Sequence, residues 1–420
     1  MLNYYIIEQM SKAKTTNIPI PLALFDDFKN IDNGEGATLK NLTNKEDYQK
    51  ALTFLKAYKG SRGTFDSYRR EIERLLQWTW NIADKTIKTL RREDIEAFIR
   101  FCQSPPKSWI GFKKATRFIE KEGKRLQNPE WRPFVVTISK LSHRQGNTPN
   151  IKDFQFSESS VKETFAILSS FYNYLLQEEY ALTNPVALIR QKSKFIRKQQ
   201  GPAKIRRLSD LQWQTVIKIT QEMAEKKPAL HERTFFILSA LYAMYLRISE
   251  LAANLRWTPL MNHFYRDHDG NWWFTTVGKG NKQRQIAVSN AMLEALKRWR
   301  KYLGLSSLPS PADHSPLLPK IRGKGPISDT NYLREIVQNC FDGAIEKLKE
   351  TGAFEEAEAL SAATVHWLRH TGISDDVKHR PREHVRDDAG HSSSATTDKY
   401  IDIELKARHR SAKNKQILHE

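Results

Sequence analysis

One stretch of this chain reads as β-structure, and it fixes the fold class. Trp272 to Val277 is a run of aromatic and β-branched residues. Gly278-Lys279-Gly280-Asn281-Lys282 follows as a turn, and Gln285-Ile286-Ala287-Val288 returns. The pattern predicts an antiparallel hairpin with Lys279 at its tip. It is the only clear strand signal. Elsewhere apolar residues recur at the spacing of an amphipathic helix. With 420 residues, 39% of them apolar, the chain has the length for two or three packed domains. The expectation is a mainly α protein with a small antiparallel β-sheet.

The helical pattern divides in two. Residues 1–44 carry turn signals at Pro19, Pro21, Gly34 and Gly36 and form an N-terminal extension, either an accessory element or an ordered arm. Residues 45–195 read as a helical domain. Asn44 to Asp47 starts its first helix, which Gly60 to Gly63 ends. Thr64 then caps a second, whose polar face holds Arg69, Arg70, Glu73 and Arg74, and a third runs from Arg92 to about Phe101. Ser157 or Ser159 caps a long helix ending near Glu178. Between the third helix and this one lies an irregular basic insertion, about 104–155, with Lys113, Lys114 and Arg117 among aromatics such as Trp109, Trp131 and Phe134. It fits a surface following a phosphate backbone, and it equally fits a solvated insertion whose aromatics pack down onto the helices. Residues 196–204, polar, basic and containing Gly201-Pro202, form the linker. Residues 205–420 make the second domain, ending in a basic tail, 402–420. Within it Ser209 caps a helix, and Thr234 to Asn254 reads as one buried helix carrying Arg247 and Glu250.

The formal net charge of +20 argues for a polyanionic partner. Nucleic acid comes first and an anionic membrane surface second, but no basic amphipathic tail of the membrane-surface kind is present. Cys102 and Cys340 read as buried free thiols of a reducing compartment. No spacing suggests zinc, no run is long enough to span a membrane, and the N-terminus does not read as a signal peptide. The expected setting is intracellular, and nothing in these patterns calls for a cofactor or a metal.

Chemistry concentrates in Thr364 to Tyr400. His366 and Arg369 stand three apart, so a helix would present both on one face. His391 follows in a Gly-His-Ser turn, and Tyr400 comes after it. A guanidinium, two imidazoles and a phenol suit an anionic substrate reacting at phosphorus. Asp375, Asp376, His379, His384, Asp387 and Asp388 match no familiar metal spacing and read as a solvated charged face.

Taken together in chain order, these residues resemble the tyrosine recombinase (phage integrase) family. The matching segments are Leu246-Arg247-Ile248-Ser249-Glu250-Leu251, Val277-Gly278-Lys279-Gly280-Asn281-Lys282-Gln283-Arg284, His366-Trp367-Leu368-Arg369-His370, Gly390-His391-Ser392, and Tyr400. The chain departs from the family in three places, one of them a somewhat long spacing from Arg247 to Lys279, assigned to a longer strand and turn around Asp267 to Asn271. Tyr245 stands where glycine usually precedes Leu-Arg, and Ser374 to Asp388 is far more charged than usual.

The resemblance implies an enzyme that breaks and rejoins duplex DNA without metal or ATP. Tyr400 would be the nucleophile, leaving a 3′-phosphotyrosyl link. Arg247 and Arg369 would hold the non-bridging oxygens, and Lys279 would protonate the leaving 5′-oxygen. His366 would assist proton transfer, His391 would hydrogen-bond the phosphate, and Glu250 would orient its neighbours. It further implies a C-shaped two-domain clamp on DNA, with Arg69, Arg70, Lys113, Lys114, Arg117, Lys282 and Arg284 as candidate DNA contacts. The protein would be a homotetramer on two duplexes with specific recombination sites, and a monomer or weak dimer off DNA. It would move or integrate a mobile element. A type IB topoisomerase-like relaxing enzyme and a non-catalytic DNA-binding protein on the same fold are the alternatives.

Overall fold

The structure, a computed structural model, describes residues 18–32, 44–58, 62–187, 189, 195, 206–398 and 412. Tyr400 and the basic tail, apart from residue 412, lie outside them. Two compact units divide the chain, Met1–Gln199 and Gln200–Glu420.

In the first unit, helices α1 (Lys45–Ala57), α2 (Arg62–Asn81), α3 (Arg92–Gln103) and α5 (Glu158–Gln177) enclose an aromatic-rich core. Asn44 caps α1 by accepting from the Asp47 amide, and Ser157 caps α5 in the same way through Ser160. Phe54 sits in the middle, ring to ring with Tyr58, Tyr68, Phe171 and Tyr174. Helix α2 begins earlier than expected, so Gly63 and Thr64 lie inside its first turn.

Its charged face is not solvated either. Phe65, Arg69, Ile72 and Leu76 fall at helical spacing on one stripe, and all four are buried. Arg69 donates to the Asp26 carbonyl and, at 2.6 Å, to Asp66. Glu73, also buried, accepts from the Leu24 and Phe25 amides and from Arg117. These bonds tie the arm 18–32 into the core, where Phe25 stacks on Tyr48.

The insertion is more regular than its sequence suggests. It contains short strands β1 (Ile110–Gly111), β2 (Phe118–Lys121), β3 (Lys124–Gln127) and β4 (Phe134–Val135), and helix α4 (Lys140–Arg144). β1 pairs parallel with β4, and β2 with β3 forms a hairpin turning at Glu122-Gly123, both at positive φ. Trp109, Trp131 and Phe134 are buried, while Lys113, Lys114, Lys121 and Lys124 stay exposed.

The second unit opens with α6 (Asp210–Lys226), capped by a reciprocal pair of bonds between Ser209 and Gln212. Helix α7 (Pro228–Ala243) starts with proline at its first turn and is buried along one side. It does not continue to residue 254. The chain leaves the helix at Met244, Tyr245 takes a left-handed conformation at φ 50°, and Arg247 becomes the N-cap of the short α8 (Ile248–Leu251). A left-handed residue cannot continue a right-handed helix, so one expected helix becomes two.

Three antiparallel strands follow in the order β5 (Phe264–Arg266), β6 (Trp272–Val277), β7 (Gln283–Ala287). β5 was not foreseen; it is too short to carry an alternating pattern. Phe264 pairs with Phe274, Phe274 with Ile286, and Thr276 with Arg284. The same-parity set Phe274, Thr276, Arg284 and Ile286 therefore faces inward. Helices α9 (Asn290–Tyr302), α10 (Thr330–Glu350), α11 (Phe354–Ser361), α12 (Val365–Asp376), α13 (Arg382–Ala389) and α14 (Ser394–Asp398) complete the unit. Helix α7 packs against α6, α9 and α12 at its centre. Among the described residues no helix is long and apolar enough to cross a membrane.

Candidate active site

Arg247 comes to the site on a turn, not on a helix face. As N-cap of α8, its amide donates to Glu250 Oε2 at 2.8 Å and its Nη1 to Oε1 at 3.0 Å. Glu250 is 1% exposed, and it also accepts the fork of Arg284, Nη1 at 2.6 Å and Nη2 at 2.8 Å. Burial alone would raise the Glu250 pKa. The hydrogen bonds and charge of Arg284, then the contacts with Arg247, outweigh that and hold it below the usual carboxylate range. One buried carboxylate thus orients two guanidiniums.

The hairpin approaches this pair through Gly278. A Cβ there would stand 3.0 Å from Arg284 Nη1 and Glu250 Oε1 and 3.3 Å from Arg247 Nη1. Glycine lets the backbone lie against the charged pair, so the next residue, Lys279, enters its turn beside it.

Helix α12 supplies His366 and Arg369. Arg369 is 2% exposed, and its Nη1 and Nη2 donate to the carbonyls of Tyr245 and Ala389, the latter at 2.6 Å. The helix gets this close because Gly372 meets Tyr242, in the last turn of α7, and Tyr245 just after it. His366 keeps an exposed edge, and its ring lies 4.2 Å from that of His370. The covered part of His366, then the charges of Arg369 and Arg247, lower its pKa.

His391 follows the end of α13, which stops at left-handed Gly390 (φ 64°). A Cβ on Gly390 would lie 2.7 Å from Arg284 Cδ, so the helix end rests on that arginine. His391 Nε2 lies 3.4 Å from Arg369 Nη2, and Nδ1 is 2.9 Å from Thr397 Oγ1. Burial, then Arg369, Arg247 and Arg284, push its pKa down to about 4. Both imidazoles are therefore neutral at pH 7, able to take a proton or to donate a neutral hydrogen bond.

The structure brings Arg247, Glu250, His366, Arg369 and His391 together, with the Lys279 backbone at the edge. Tyr400 is outside the described residues. Two arginines held by carboxylate and carbonyls, with two neutral imidazoles between them, form a preorganised anion site suited to charge developing on phosphate oxygens.

The candidate DNA contacts divide. Lys113, Lys114 and Lys282 are exposed, though Lys113 stands 2.9 Å from Glu130. Arg70 is partly exposed and paired with Glu71 and Glu163. Arg69, Arg117 and Arg284 are turned inward and ion-paired, because each is the counter-charge of a carboxylate in the protein. Arg284 is thus a support of the site. Strand alternation marks it, since an arginine in register with Phe274 and Ile286 must be paired.

The segment 374–388, expected as a solvated charged face, is only partly that. Asp388 is buried and holds Arg380 Nη2 at 2.5 Å, and Arg380 Nη1 reaches Asp376 at 2.9 Å. His379, His384 and Asp387 do face solvent. Among the described residues no group of three or more His, Cys, Asp and Glu side chains is placed to hold a metal ion.

Residues 207–406 match the phage integrase family. Over 356 residues the chain is 24% identical to the tyrosine recombinase XerC of Xanthomonas axonopodis pv. citri (strain 306), covering 84% of this chain and 91% of that one. XerC of Xanthomonas campestris pv. campestris (strain B100) is 27% identical over 183 residues, 44% of this chain and 47% of its own length. Among solved structures, the XerH site-specific recombinase bound to palindromic difH substrate, a post-cleavage complex, is similar with a TM-score of 0.52. The identity there is 14%, over 89% of this chain and 90% of that one, so the likeness is one of fold. Residues 207–406, within the second unit, are thus a phage integrase domain, and over most of its length the chain is similar to XerC tyrosine recombinases.

Proposed function

We propose that the chain is a site-specific DNA recombinase that cuts and rejoins duplex DNA through a covalent 3′-phosphotyrosyl intermediate. The observation that carries this is the convergence of Arg247, Arg369 and His391. Arg369 Nη2 approaches His391 at 3.4 Å, and both arginines depress the His391 pKa. Such a cluster, in a chain of net charge +20, is built for a phosphodiester.

In this reading Tyr400 Oη forms a bond to the scissile phosphorus and the bond to the 5′-oxygen breaks. The phenolic proton passes to His366, which is neutral and able to accept it. Lys279 returns a proton to the 5′-oxygen as it leaves. Arg247, Arg369 and His391 hold the non-bridging oxygens as charge grows on them, and Glu250 fixes Arg247. Attack by the 5′-hydroxyl of another strand reverses these steps, so the phosphodiester energy is kept and no ATP is needed.

The partner is duplex DNA carrying a recombination site, with the first unit as the clamping domain. Lys113, Lys114, Arg70 and Lys282 offer charge to the backbone. The active assembly is a homotetramer on two duplexes, the tail 402–420 docks on a neighbouring protomer, and the setting is movement of a mobile element. The test uses supercoiled plasmid carrying the DNA that flanks the gene, quenched in detergent. The wild-type chain is expected to yield protein attached to a 3′ DNA end, and Tyr400→Phe none. A covalent complex that survives Tyr400→Phe would falsify the reading. Relaxation of any plasmid without strand exchange would identify a relaxing enzyme instead.

A further inference from the structure

Tyr245 stands in a conformation that disfavours it. At φ 50° its Cβ crowds the following carbonyl, a strain glycine would escape. Its side chain is held as though in compensation. The ring is 1% exposed and packs with Ile373, Val385 and Ala389. The hydroxyl meets Asp376, and Arg380 Nη1 donates to it at 2.9 Å.

From there the contacts continue without a gap. Arg380 Nη2 grips Asp388 at 2.5 Å. Asp388 Oδ1 accepts from the Ala287 amide, at the end of the strand that leaves the Lys279 turn, at 3.2 Å. The Asp388 carbonyl accepts from Arg284 Nε at 2.9 Å, and the next carbonyl, Ala389, from Arg369. His391 lies two residues further on. At the other end the Tyr245 carbonyl accepts from Arg369, and Arg247 is two residues on. The network therefore reaches the turn before Arg247, the end of α12, the far end of β7 and the chain before His391.

We propose that Tyr245, Asp376, Arg380 and Asp388 form a positioning unit that holds the Arg247 turn, Arg369 and the His391 turn in one fixed geometry. The proposal rests on the phosphoryl-transfer reading of the site. None of the four touches the reacting phosphate; they act through the two arginines and the histidine. The left-handed turn aims Arg247, and the hydroxyl anchor keeps that turn in register with α13. In a site where small displacements matter, losing the anchor slows chemistry on the order of ten- to a hundred-fold. Affinity rests on the basic surface elsewhere and does not move with it.

Tyr245→Phe keeps the ring and removes the anchor. Arg380→Gln cuts the network at a half-exposed residue, and Arg380→Lys keeps one charge. The probe is a nicked linear duplex from the gene's flanking DNA, used at saturation in single turnover, with binding measured on the same duplex. Tyr245→Phe and Arg380→Gln are expected to form the covalent complex roughly ten-fold or more slowly. Their Kd should stay within about two-fold of wild type, and Arg380→Lys should recover part of the rate. Wild-type rates in both variants, or a loss confined to melting temperature or Kd, would overturn the positioning role. If Tyr245→Phe does not fold, Arg380→Gln and Arg380→Lys decide. Tyr400→Phe runs beside them: a complex formed without Tyr400 sinks the recombinase reading, whereas its absence with full-rate Tyr245→Phe and Arg380→Gln sinks only the positioning unit.

Discussion

Replacing Glu250 by Gln tests the arginine clamp at its centre. The carboxylate accepts four N–H groups at 2.6–3.0 Å, three from the guanidiniums of Arg284 and Arg247 and one from the Arg247 amide. Gln keeps one acceptor and turns an NH2 toward donors. Arg284, whose side chain is 9% exposed, then stays buried without a counter-charge, left with the Asp388 carbonyl and at most the one Gln oxygen. Removing one partner of a buried ion pair costs about 3–5 kcal/mol. Arg247 adds little, because at 28% exposure water screens it. For a domain of this size the loss corresponds to roughly 6–20 °C in Tm. Calorimetry near pH 7 reads it. The pH dependence adds a check of sign. The Glu250 pKa is lower folded than unfolded, so its contribution is present above the ordinary value of 4.5 and is lost as pH falls through the folded value. Gln does not titrate, so the gap between the two proteins should close in acid. Equal Tm near neutrality, or a gap that persists unchanged into strong acid, would refute the clamp.

Two further substitutions probe the frame around it. Gly372→Ala puts a Cβ 2.1 Å from the Tyr242 carbonyl oxygen, a backbone atom that cannot yield, and should push α12 off α7 at a cost of about 3 kcal/mol; a urea midpoint equal to wild type would show that the helices separate freely. His391, at about 4 folded against 6.5 unfolded, stays neutral while the unfolded chain takes up a proton between those values. Stability therefore falls as pH drops through that window. His391→Gln should flatten part of that slope in urea melts at several pH values, and an unchanged slope would place the titration elsewhere.

The candidate site's residues stand out in the sequence because chemistry constrains their types and order. Their placement was less so. Arg247 and Glu250, three apart, look like a helical ion pair. They are an N-cap and its third residue, and the same spacing serves both. What decides between them is Tyr245, whose left-handed φ is tolerated only because α12 and α13 enclose its ring, and those lie over a hundred residues away in sequence. On charge alone Arg69 and Arg284 read as surface cations. Period did mark them, since one falls in the stripe of Phe65, Ile72 and Leu76 and the other in register with Phe274 and Ile286. Their counter-ions, Asp66 and Glu250, complete the explanation. The arm 18–32 is hard to read from sequence, because part of its hold on the core comes from backbone amides and carbonyls, which every sequence has, and the partners of Phe25 and Asp26, Tyr48 and Arg125, lie well along the chain.

Two of the departures from the family pattern, Tyr245 and the charge behind it, are one feature. A glycine before Leu-Arg needs nothing to hold a left-handed turn, and a helix behind it can be apolar. A tyrosine there costs about 1–3 kcal/mol in backbone strain and brings a phenol into the interior. The phenol requires a partner, and Asp376 supplies one. Asp376 beside buried Asp388 requires a cation, and Arg380 lies between them at 2.9 and 2.5 Å. Burial raises the Asp388 pKa even so, while burial and then Asp376 raise that of Tyr245, so the phenol stays protonated and keeps donating. The buried part of the charge in 374–388, Asp376, Arg380 and Asp388, thus goes with the residue at 245. It follows that reverting Tyr245 to Gly alone would relieve the turn but strand Asp376 and Arg380, and that either departure makes sense only with the other.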